Sequence, residues 1–119
     1  MALFPPGRIG RIAAKGVTNS LSKTISVQKQ ARHIAGTAKP GGGFLNSVDD
    51  AKSVLNAVHS GKATYLGTSS QGHLVYRFNG VTGTNVNLRA GITGQPTNVF
   101  MIKGTTSPSV VPTNPFWKP

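Results

Sequence analysis

The sequence predicts an α+β domain, with helix packed against an antiparallel sheet. Three observations predict it. Apolar residues recur at helical spacing over 51–58, between a capping serine and a glycine. After Gly61 the period changes to two and repeats through several short runs. The connections between those runs are too short for parallel crossovers.

In chain order, residues 1–16 read as a basic linker remnant carrying Pro5, Pro6, Gly7 and Gly10. This stretch lacks the apolar centre of a signal peptide, and as a linker it is expected to have joined the domain to something longer. The remainder, 17–119, reads as one domain, because 119 residues support a single modest core. Leu21 and Ile25 have helical spacing behind Asn19 or Ser20, which predicts a short first helix. Residues 39–43, Lys-Pro-Gly-Gly-Gly, read as a flexible break.

The next element carries the strongest signals. Ser47 is an N-cap residue, and Asp49 and Asp50 fall in the first turn, where the helix dipole favours negative charge. Ala51, Val54, Leu55 and Val58 form an apolar stripe, and Gly61 supplies the C-terminal stop. Strands are predicted at 63–68, 73–79, 84–90 and 97–103, in an antiparallel meander. From Ser107 the tail holds Pro108, Pro112, Pro115 and Pro119 and is expected to run extended over the surface.

Charge narrows the partners. Thirteen Lys and Arg face two acids, a formal charge of +11. Such a field concentrates phosphate polymers. A membrane is not expected as partner, since there is no long apolar run and no basic amphipathic helix with an aromatic face. The chain has no cysteine, which excludes thiol nucleophiles and zinc ribbons.

Composition also narrows the chemistry. Two-metal nucleases and glycosidases both need carboxylates at the reacting bond. The two acids here are neighbours in a helix first turn, so neither route is expected. His33, His59 and His73 lack metal-ligand spacing; no metal and no cofactor is implied. What remains is His, Lys, Arg, Thr, Ser and Tyr, the groups of metal-independent RNA cleavage. There the substrate's 2′-hydroxyl is the nucleophile, and the protein supplies proton transfer and cations.

Three stretches resemble a known group. Lys29-Gln30-Ala31-Arg32-His33-Ile34-Ala35-Gly36-Thr37 resembles the Lys-Gln-x-(Lys/Arg)-His-Ile-x-Gly-Thr opening of C-terminal domains of bacterial polymorphic toxins. Residues 96–102 and the Val110-Val111-Pro112-Thr113-Asn114-Pro115 ending are similar to that group's last strand and tail. Lys103-Gly104-Thr105-Thr106-Ser107-Pro108 is similar to a segment of contact-dependent growth inhibition toxins. These belong with barnase, EndoU, the colicin ribonucleases and RelE. The resemblance implies one or two N-terminal helices on a four- to five-stranded antiparallel sheet. Two positions depart from the pattern: Val110 stands where a histidine is expected, and Thr105 where the contact-dependent toxins have serine.

The resemblance further implies His33 as the general acid or base, with Gly36 freeing the backbone behind it. Lys103, Thr105 and Thr106 would present a cation and hydroxyls to phosphate. Lys29 and Arg32 flank His33 and join it as RNA-binding candidates. Arg77 and Arg89, on strands of period two, face either RNA or solvent. His59 and His73 read as surface residues. Tyr65 and Tyr76 either stack bases or pack, and the neighbours Leu74 and Phe78 favour packing for Tyr76.

The implied activity is that of an endoribonuclease toxin cutting tRNA or another RNA to a 2′,3′-cyclic phosphate. It would act in the cytoplasm of a target bacterium, be neutralised by an acidic immunity protein, and otherwise be monomeric. Two other classes stay open: a non-catalytic basic RNA-binding module and a self-assembling structural protein. Stacking modules interleave aromatics with cations, and at 7% aromatic this chain leans towards the enzyme.

Overall fold

The computed structural model describes residues 20–119. The linker expected over 1–16, and the Asn19 cap, lie outside the described residues. A single α-helical turn, α1, spans Val27–Gln30 and continues as a 3₁₀ turn at Ala31–His33. The long helix α2 covers Val48–Ser60. Six strands follow: β1 (Thr64–Thr68), β2 (Leu74–Arg77), β3 (Gly83–Asn87), β4 (Ile92–Thr97), β5 (Val99–Lys103) and β6 (Ser109–Pro112). The fold is α+β, with short helices packed on an antiparallel sheet.

Helix α2 forms for the local reasons its sequence predicts. The Ser47 hydroxyl accepts from the Asp50 amide at 3.1 Å, and Gly61 ends the helix in the left-handed region at φ 79°. Its buried residues Ala51, Val54, Leu55 and Val58 form one core with Leu74, Tyr76, Phe100, Ile102 and Val110 of the sheet. Burying each large aliphatic or aromatic side chain contributes about 1.5–3 kcal/mol, which makes this contact the principal source of stability.

The sheet is not a simple meander. Its order is β1-β2-β5-β6, and β3 and β4 form a separate two-stranded sheet inserted between β2 and β5. Directly opposed residues share a face. Tyr65, Tyr76, Phe100 and Pro112 make one row beneath the helix. Gly67, Val75, Met101 and Val111 make a row on the opposite face. By the same alternation Lys103, two residues beyond Met101, projects from that opposite face.

Several expected elements are corrected. Leu21 and Ile25 are buried but lie outside any helix. In that segment the Ser22 amide donates to Thr105 O and the Ser26 amide to Pro108 O, so the chain is held by the β5–β6 turn instead of by its own helical ladder. The helix begins later, where the Ser26 hydroxyl accepts from the Lys29 amide. The run 84–90 is a strand only to Asn87. A 3₁₀ turn, Leu88–Ala90, follows and closes on Gly91 at φ 75°. The run 97–103 is broken at Asn98, where Phe78 N donates to Asn98 O and Asn98 pairs with the Asn79 side chain. Thr97 ends β4, a strand the periodicity did not resolve. The proline-bearing tail does not simply lie on the surface: Ser109, Val110 and Pro112 are buried in β6. Proline is tolerated there because β6 is an edge strand, on which a missing N–H costs no ladder bond on the outer side.

Candidate functional site

The 29–37 motif is a set of structural fixings around one imidazole. Gln30, fully buried, points its amide at the outer edge of β6. Its Nε2 donates to Val110 O at 2.8 Å, and its Oε1 accepts from Val110 N at 2.7 Å. Three residues on, the backbone of His33 joins a different segment: Leu45 N donates to His33 O, and Ala35 N donates to Leu45 O, both at 2.7 Å. Gly36 turns the chain at φ 91°. The Thr37 hydroxyl then donates back to Ala31 O at 2.7 Å. Lys39 N donates to Arg32 O, which folds the loop over the helical turn.

Gly43 completes the pocket of the imidazole. His33 Nδ1 lies 3.3 Å from Gly43 O. A carbonyl only accepts, so this bond places the proton on Nδ1 and leaves Nε2 as the acceptor nitrogen. Gly43 itself is wedged against backbone: a Cβ there would come within 2.9 Å of Thr84 O and 3.0 Å of Pro112 O. The 39–43 break is therefore an ordered turn, tied by the Phe44–Thr84 bridge to β3.

Electrostatics favour the neutral ring. The pKa of His33 lies below its ordinary 6.5, chiefly because burial disfavours the charged form, with Lys103, Arg32 and Lys39 adding positive charge nearby. The Gly43 carbonyl acts in the opposite sense and is outweighed. The arrangement can take up a proton at Nε2, in the positive field of Lys103, Arg32 and Lys39.

Of the residues singled out from the sequence, Arg32 and Lys103 come close enough to His33 for their charge to act on its ring. Lys29 lies beside the β5–β6 turn, with Nζ 3.4 Å from Ser107 O. Thr105 and Thr106 are exposed on that turn, and it is the Thr105 carbonyl, not its hydroxyl, that has a fixed partner in Ser22 N. Arg77 pairs with Val99, at the opposite end of β5 from Lys103. Four strand residues separate those ends, roughly 14 Å. Arg89 is on the 3₁₀ turn of the β3–β4 hairpin and not on a strand. That turn adjoins the 39–43 loop, for Leu88 Cδ1 lies 3.3 Å from where a Gly41 Cβ would stand.

His59 departs from its reading as a surface residue. Its Nε2 lies 3.2 Å from Ser22 O, so the ring pins the end of α2 to the segment ahead of α1. Tyr76 is buried and packs against Tyr65 with ring centroids 5.4 Å apart. Sequence reasoning did not single out Gln30, Gly43 or Lys39. Gln30 stands inside the motif, but a glutamine carries no charge signal. Gly43 and Lys39 lay in a stretch whose composition suggests flexibility. Among the described residues, no three His, Cys, Asp or Glu side chains gather as a metal site, and no helix is long and apolar enough to cross a membrane. Comparison with protein-family models and with curated proteins finds no match.

Proposed function

We propose that this domain is a metal-independent endoribonuclease toxin, with His33 as its general base. The observation that carries the reading is the half-buried imidazole, tautomerically set by Gly43 O and flanked by Lys103, Arg32 and Lys39 on a chain of charge +11. The resemblance of residues 29–37 to toxin domains supports the same class.

In this reaction Nε2 of His33 takes the proton from a ribose 2′-hydroxyl. The 2′-oxygen attacks the adjacent phosphorus, and the bond to the 5′-oxygen breaks. The departing 5′-oxygen takes a proton from water and the His33 imidazolium returns its proton to solvent, giving a 2′,3′-cyclic phosphate and a 5′-hydroxyl with no net change in the protein. Lys103 and Arg32 offset the charge developing on phosphate, with Thr105 and Thr106 as hydroxyl donors from the β5–β6 turn. Lys29, Arg77 and Arg89 contact the RNA backbone. DNA, lacking the 2′-hydroxyl, is not cut.

The domain reaches a target bacterium's cytoplasm as part of a larger secreted protein, and an acidic immunity protein covers the cationic site in the producing cell. The test is incubation of purified protein with total bacterial RNA, tRNA included, in excess EDTA. Discrete fragments ending in cyclic phosphate are expected. Activity lost to EDTA and restored by magnesium or zinc would sink the metal-independent route, and RNA binding without cleavage would leave a binding module.

A further inference from the structure

On the sheet face opposite α2, a cavity of about 400 Å³ opens between the β1–β2 turn and the tail. Its lining includes Thr68, Ser69, Gln71, Met101, Trp117 and Lys118. That volume lies within the range of small-ligand sites, about 300–1,000 Å³. Its chemistry is mixed: an indole and a thioether for apolar contact, hydroxyls and an amide for hydrogen bonds, and one cation.

The aromatic wall is held in place. Trp117 N donates to Asn114 O at 3.0 Å, and Phe116 N donates to Asn114 Oδ1 at 2.9 Å, so one asparagine fixes the turn carrying both rings. The indole rests on Gly67, where a Cβ would come within 3.1 Å of it. Any side chain at Gly67 would push the ring off the strand. Phe116 beside it is 75% exposed. A fixed indole followed by a lysine is a composition that binds unpaired nucleotides, with a base on the ring and phosphate on the cation.

The cavity also reaches β5, the strand that carries Lys103. Met101, on its wall, and Lys103, which acts on His33, project from the same face of β5, two residues and therefore about 7 Å apart. We infer that the Trp117 cavity is a subsite for an unpaired nucleotide of the RNA, its base stacked on the Trp117 indole and its phosphate held by Lys118. The inference rests on the ribonuclease reading for its choice of ligand, and places a flanking nucleotide of the substrate beyond Lys103.

Trp117 is the chain's single tryptophan, so intrinsic fluorescence reports on this cavity directly. The probe is a short single-stranded 2′-O-methyl oligoribonucleotide, which resists cleavage, carrying an end label for anisotropy. Saturable quenching of Trp117 is expected, at the concentration where anisotropy rises. Trp117→Leu should weaken binding about 5- to 150-fold, the worth of one stacked base. Trp117→Phe should retain most of the affinity. Lys118→Gln should flatten the salt dependence by about 0.7 in log–log slope. Gln71, exposed on the cavity wall, should lose a few-fold in affinity as Gln71→Ala, which keeps the test open if Trp117→Leu fails to fold.

Anisotropy rising without quenching places the RNA elsewhere and overturns the inference. So does wild-type affinity in Trp117→Leu, or the absence of oligonucleotide binding. Quenching by polyglutamate and not by the oligonucleotide would make the cavity a protein-docking site, again overturning it. Cleavage of RNA with Trp117 unquenched removes the subsite alone. Quenching by the oligonucleotide in a protein that never cleaves RNA removes the ribonuclease reading alone.

Discussion

The side-chain amide of Gln30 stands in for a missing strand. It gives Val110 both the donor and the acceptor that a neighbouring β-strand would supply, at 2.8 and 2.7 Å. The outer edge of β6 is thereby closed to edge pairing at that residue, and the helical turn that bears His33 is fixed to the sheet. The position of the imidazole thus depends on a hydrogen-bonded pair 80 residues apart in sequence.

Gln30→Leu should keep the volume but leave both polar groups of Val110 buried and unpaired. A loss of about 2–4 kcal/mol is expected in urea unfolding. Gln30→Glu retains an acceptor for Val110 N yet sets a carboxylate against Val110 O. Its stability should recover towards acid pH, where the protonated carboxyl can donate. A fully stable Gln30→Leu protein would show that the edge contact is dispensable.

His33→Ala should leave a folded, RNA-binding protein whose cleavage rate falls about 100- to 10,000-fold. His73→Ala should retain cleavage. His59→Ala should retain it too, with stability lowered by about 0.5–1.5 kcal/mol through loss of the contact to Ser22 O. The double change Thr105→Ala with Thr106→Ala should fall between His33→Ala and wild type. If His33→Ala cleaves at the wild-type rate while an Arg89 change binds and does not cleave, the 29–37 motif serves the fold alone.

The pKa of His33 is depressed in the native state by burial first and by Lys103, Arg32 and Lys39 after it. Between that value and 6.5 the unfolded chain binds more protons, so stability rises with pH there. The contribution is fully present above pH 6.5 and is lost as pH falls through the native pKa. Urea midpoints of wild type and His33→Asn should therefore converge on acidification. The acid limb of the cleavage profile should lie below pH 6.5, and Lys103→Met should move the His33 titration upward in NMR. An unmoved titration would mean that Lys103 does not act on the ring.

An acidic partner should associate at a rate that falls steeply with added salt, because a field of +11 guides the encounter. Stopped-flow association between low and physiological ionic strength measures this. A rate indifferent to salt would assign recognition to shape instead.

How much of this was legible in the sequence depends on the range of the interactions concerned. Helix α2 could be read residue by residue, since the Ser47 cap, the Val54, Leu55 and Val58 stripe and the Gly61 stop all act within one or two turns. The α+β class followed from the change of period after Gly61. The charge of the chain was likewise present in the linear order of residues. The tertiary structure alone decided that β5 pairs with β2 while β3 and β4 stand apart, for strand pairing joins residues whose separation leaves no local trace. It also decided that Leu21 and Ile25 are buried without a helix, because their backbone is held by the β5–β6 turn. Lys39 and Lys103 act on His33 for the same reason: the turn at 39–43 is wedged at Gly43 between Thr84 and Pro112, and Lys103 is placed by the pairing of β5 with β6, contacts with distant backbone of which composition carries no record.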